Sequence, residues 1–123
     1  MKRDWDVIRQ VLIEVEELSS TDRDSFVYGV GPEHPDEDSN KAEHALLLWK
    51  AGFISAIDAG TVDGSAAILS PELTWEGHDL LETMRSNTVW ERIKSTAKDK
   101  GIELTFDAVK ALAKPALDWI IQN

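Results

Sequence analysis

The sequence predicts an α+β fold, mainly α, and three observations predict it. His44-Ala-Leu-Leu-Leu-Trp-Lys-Ala-Gly-Phe-Ile54 reads as an apolar helix stopped by Gly52 and followed at once by a strand. Two short apolar runs, 53–59 and 65–69, flank Gly60 and Gly64 and so form a hairpin. Leu73-Thr-Trp-Glu-Gly-His-Asp-Leu-Leu81 then opens another helix, with Thr74 at the cap position. Helix, two-stranded wing, helix is the back half of a winged-helix-like domain. With the elements before it, the expected order is helix, short strand, helix, two-stranded wing, helix, followed by two additional C-terminal helices.

Each element has its own signal. Trp5, Ile8, Val11, Leu12, Val15 and Leu18 recur at helical spacing, so residues 4–18 form a helix with one buried stripe. Glu14, Glu16 and Glu17 lie near its negative end, where acids are unfavourable; that end frays or meets a cation. Residues 25–30 alternate as a strand, and 31–40 form a loop rich in Gly, Pro and acids. Asn40 or Ser39 is placed to cap a helix over 41–51 in which Lys41, Glu43, His44 and Lys50 are the only polar residues. Leu48 lies between that helix's Gly52 stop and the wing and is expected in the core. Pro71 is expected to end the second wing strand. Gly77, in the first turn of the next helix, signals something packed against the backbone. Asn87 or Thr88 caps a fourth helix ended by Gly101; Thr105 caps the last, which contains Pro115.

The 123 residues suit a single domain, with a winged-helix-like core over 1–86 and a helical extension over 87–123. There is no cysteine, which excludes disulfides and zinc–thiolate sites. No apolar run is long enough to span a bilayer, so no membrane association is expected and a cytoplasmic location is the default. Asp and Glu number 23 against 13 Lys and Arg, a formal charge of -10. That field repels phosphate, so DNA is a disfavoured partner and a protein is the favoured one.

Residues 1–4, His44…Leu48…Ala51-Gly52-Phe53-Ile54, Leu73-Thr74-Trp75-Glu76-Gly77-His78-Asp79-Leu80-Leu81 and Thr88-Val89-Trp90 together resemble an uncharacterised bacterial and prophage family, domain of unknown function 2513. The resemblance covers nearly the whole chain and implies no activity or ligand. The middle block is also similar to the recognition helix and wing of bacterial winged-helix repressors, with Ala45 where those carry Leu.

No motif assigns a catalytic residue, a cofactor or a metal. His34, Asp36, Glu37 and Asp38 cluster in one loop without ligand spacing and read as a solvated acidic segment. His78 and Glu82 are four apart and read as a surface pair. Arg92, Lys94, Lys98 and Lys100 alternate with Glu91, Asp99 and Glu103, a mixed-charge helix surface. Of five tryptophans, Trp75 is the one expected to be partly exposed. The candidate interaction surface is therefore Lys41, Glu43, His44, Lys50, Trp75 and His78. Trp119, Ile120 and Ile121 are candidate contacts of a homodimer, because an apolar cluster so near the C-terminus must dock on something. The expected function is a non-enzymatic regulatory or interaction module with a protein partner; the alternative is a DNA-binding regulator of winged-helix type.

Overall fold

The computed structural model describes residues 2–34, 38–62 and 64–122. The fold is α+β and mainly helical, in the order α1 (Trp5–Glu17), α2 (Ser20–Ser25), β1 (Val27–Val30), α3 (Ser39–Lys50), β2 (Ile54–Asp58), β3 (Ala66–Leu73), α4 (Trp75–Arg85), α5 (Asn87–Lys100) and α6 (Phe106–Gln122). It divides into two compact units, 1–78 and 79–123, with the boundary inside α4.

In the first unit α1 buries Ile8, Val11, Leu12 and Val15, the expected stripe. Its N-cap is Asp4, whose carboxylate accepts from the Asp6 and Val7 amides. Three antiparallel strands form one sheet in the order β1-β3-β2, so the last strand lies between the other two. Helix α3 packs against α1, β1 and β2. Its Ala42, His44, Ala45, Leu46 and Leu48 are buried, whereas Ala51, at the Gly52 stop, is exposed.

Several details differ from the sequence reading. A six-residue helix, α2, precedes β1 where an irregular segment is expected. It buries no residue, so no apolar period announces it; Ser19 caps it by accepting from the Asp22 amide. The cap of α3 is Asp38, not Asn40 or Ser39, and the cap of α5 is Ser86, not Asn87 or Thr88. Pro71 does not end the second wing strand, which continues to Leu73. The ladder between β2 and β3 skips between Ser55 and Ile57, leaving Ser70 and Pro71 outside the register. A residue without an amide proton is tolerated there because no ladder bond is asked of it. Ser70 takes a positive φ of 56° at the same irregularity, and its amide bonds instead to the Phe26 carbonyl.

The two sequence blocks around Gly52 and Gly77 meet in one joint. Gly52 turns the chain with φ 90°, a conformation that favours glycine. Its carbonyl accepts from the Thr74 hydroxyl at 2.7 Å, while that hydroxyl's own oxygen accepts from the Gly77 amide at 3.1 Å. The Thr74 amide donates to the Phe53 carbonyl at 3.1 Å. That carbonyl lies so close to Gly77 that a Cβ there would collide with it. The expectation that something packs on Gly77 holds, and the packed atom is backbone.

This fixes the sign of one substitution. In an ordinary helix interior Gly→Ala is favourable by roughly 1 kcal/mol. Gly77→Ala is expected instead to destabilise by more than about 1 kcal/mol, since the Phe53 carbonyl must move. Urea unfolding of the two proteins checks the sign; a more stable variant would mean the joint is loose.

Candidate interaction surface

The six candidate surface residues do not form one patch. His44 is corrected outright: it is fully buried. Its Nε2 accepts the Asp4 amide proton at 2.9 Å, and its Nδ1 lies 2.7 Å from the Asn40 carbonyl. A backbone amide can only donate and a carbonyl only accept, so the ring is the neutral tautomer protonated at Nδ1. His44 thus ties the start of α1 to α3 and is unavailable to a partner.

Lys41 is committed as well. Its Nζ reaches Glu14 Oε2 at 3.2 Å, and Glu14 Oε1 accepts from the Tyr28 hydroxyl at 2.6 Å. Glu14, the acid at the unfavourable end of α1, meets its cation here, 27 residues away in sequence. The triad borders an open groove of about 470 Å³ lined by Gln10, Ile13, Glu14, Glu17, Leu18, Asp22 and Lys41. Burial, then the hydrogen bond to Glu14 and the charge of Glu14, push the Tyr28 phenol up from its ordinary value. Glu43 is half-buried and Lys50 is exposed. Lys41 and Lys50 lie in the first and last turns of α3, ~14 Å apart along its axis. With Lys41 neutralised, they do not make a positive strip.

Trp75 and His78 are brought together. Both are exposed, Trp75 at 84 %, and their ring centroids are 6.5 Å apart. They project from the turn of α4 that Thr74 caps and Gly77 anchors, so an exposed aromatic stands on a fixed backbone. The other tryptophans differ: Trp90 is buried, and Trp5 and Trp49 are half-buried. Trp119 is partly exposed, with the Arg92 guanidinium 4.2 Å from its ring centroid. Glu82 pairs with Arg85 at 3.2 Å, and Lys94 with Glu91 at 2.8 Å as the mixed-charge reading of α5 expects. Asp36 and Glu37 of the acidic loop lie outside the described residues; among the described residues no group of His, Cys, Asp and Glu is placed to hold a metal ion. Among the described residues no helix is long and apolar enough to cross a membrane.

The sequence reading misses the Tyr28–Glu14–Lys41 triad and the Arg92–Trp119 stack. Both join distant positions, and the misplaced charge of Glu14 is the one local hint of either.

Comparison with known families adds to this geometry. The model of the family described as "Hypothetical protein (DUF2513)" matches residues 2–103. The chain belongs to this family. The match includes the whole Gly52–Gly77 joint and ends before α6. A relative, an "Uncharacterized protein" of Haemophilus influenzae, is 34 % identical over 126 residues, covering 98 % of this chain and 99 % of its own length. No solved structure matches.

The triad yields a pH prediction. The only tyrosine in the chain is Tyr28, so phenolate absorbance reads it alone. Its folded pKa is raised, so the neutral phenol is favoured in the fold; stability is present below the unfolded value of about 10 and is lost as pH rises above it. Alkaline titration is expected to show phenolate only as the protein unfolds. Tyr28→Phe is expected to remove this pH dependence and to destabilise by about 1.5–3 kcal/mol at neutral pH, the range for a hydrogen bond to a charged group. A phenol that titrates near its ordinary value while the fold persists would contradict the contact.

Proposed function

We propose that the chain is a non-enzymatic, winged-helix-like interaction module of the bacterial cytoplasm that binds a protein partner through the surface around Trp75. The single observation that carries this reading is the burial of α3. In a winged-helix regulator the helix before the wing enters the DNA groove. Here that helix buries Ala42, His44, Ala45, Leu46 and Leu48, and its Lys41 is held by Glu14. Trp75, by contrast, stands exposed on an anchored turn, and aromatic anchors of this kind dominate protein interfaces. The charge of -10 favours a partner with a basic surface. The winged-helix reading itself is supported by the sheet order β1-β3-β2 and by the hairpin between α3 and α4. The same order, with exposed Lys50, is what favours the alternative of a DNA-binding regulator.

Affinity capture from the native host with wild-type protein and with Trp75→Ala tests the choice. The variant is expected to melt within about 0.5 kcal/mol of wild type, as surface substitutions do. It is expected to lose a captured protein by ~10-fold or more, the effect of removing an interface anchor. Full retention by the variant, or recovery of sequence-selected DNA at physiological salt, would overturn the reading.

A further inference from the structure

The second unit holds α5 and α6 packed together, and α6 buries Val109 and Ala116. The opposite arc of α6 is exposed. At about 100° per residue it carries Lys110, Lys114, Leu117, Asp118 and Ile121 side by side. Leu117 is 48 % and Ile121 72 % exposed, a large apolar area for two neighbouring positions. Lys110, Lys114 and Asp118 form no ion pair among the described residues. Ile120 is half-buried and Trp119 lies under Arg92, so of the three residues at the C-terminus Ile121 belongs to this arc.

We propose that this arc of α6 is a homodimer interface in which two copies pair antiparallel about a twofold axis near Ala116, with Lys114 of each copy against Asp118 of the other. The charges choose both the occupant and its direction. A parallel pair would set Lys114 against Lys114 and Asp118 against Asp118, and like charges across an interface are repulsive. An antiparallel pair about Ala116 brings Lys114 to Leu117 and Asp118 of the second copy, and Lys110 to Ile121. The lysine stems cover the apolar side chains while the Lys114 ammonium reaches the carboxylate. The surface is thus complementary to itself, as a twofold interface requires. One helix pair buries little area, so association is weak, in the micromolar range. This inference does not rest on the role given to Trp75.

Sedimentation of the full chain and of charge-reversed chains tests it. Wild type is expected to dimerise at high micromolar concentration, and Leu117→Glu or Ile121→Glu to be monomeric with an unchanged melting profile. Lys114→Glu alone and Asp118→Lys alone are each expected to weaken the dimer ~10-fold, because each places like charges opposite one another twice. An equimolar mixture of those two single variants is expected to regain wild-type affinity, since both cross-pairs then have opposite signs. A pairing of 114 with 118 inside one helix could not be repaired by mixing. A monomeric wild type, a dimer that survives Leu117→Glu, or a mixture no tighter than its components would each overturn the proposal.

Discussion

The fold depends on the approach of the Phe53 carbonyl to Gly77. A side chain at 77 would fill the space that the carbonyl occupies, so the end of α3 and the start of α4 can meet only with glycine there. The Thr74 hydroxyl holds the two together, donating to the Gly52 carbonyl and accepting from the Gly77 amide. Between these anchors the chain makes the whole hairpin, and Leu73, buried beside them, pairs with Ile54 at the hairpin's base. The positive φ of Gly52, the capping threonine and the crowded glycine are therefore one constraint written at three positions.

That constraint explains which parts of the structure are legible in the sequence. Helices α1 and α3 announce themselves by apolar period, and the hairpin by its glycines, because each signal is local. Gly77 could be read as a site of close packing, although its partner, 24 residues earlier, could not. Helix α2 buries nothing and so carries no period. Pro71 misleads because its tolerance depends on an irregularity in the pairing of β3 with β2. The caps Asp38 and Ser86 precede the residues expected, since several neighbouring side chains at each start could serve equally well.

The candidate surface was less legible than the fold. Exposure of Trp75 follows from its place in a first turn, ahead of the buried stripe. His44 and Lys41, polar residues on an apolar helix, look like surface until their partners are known. Those partners, Asp4 at the N-cap of α1 and Glu14 within it, are 40 and 27 residues away. A polar residue that is satisfied over such a distance leaves no mark in its own neighbourhood. Satisfying these two residues internally commits their side chains to the first unit's own packing. Trp75 in the first unit, on a fixed turn, and Leu117 and Ile121 of α6 in the second are exposed apolar side chains.

The most direct measurement of the central constraint is native-state hydrogen exchange at the Thr74 and Gly77 amides, compared with unfolding by denaturant. If the joint organises the fold, both amides exchange only through global unfolding, with the same free energy as the denaturant transition. Exchange at a free energy several kcal/mol lower, while the β3 amides stay protected, would show that α4 begins in a frayed turn and that the joint does not hold the structure.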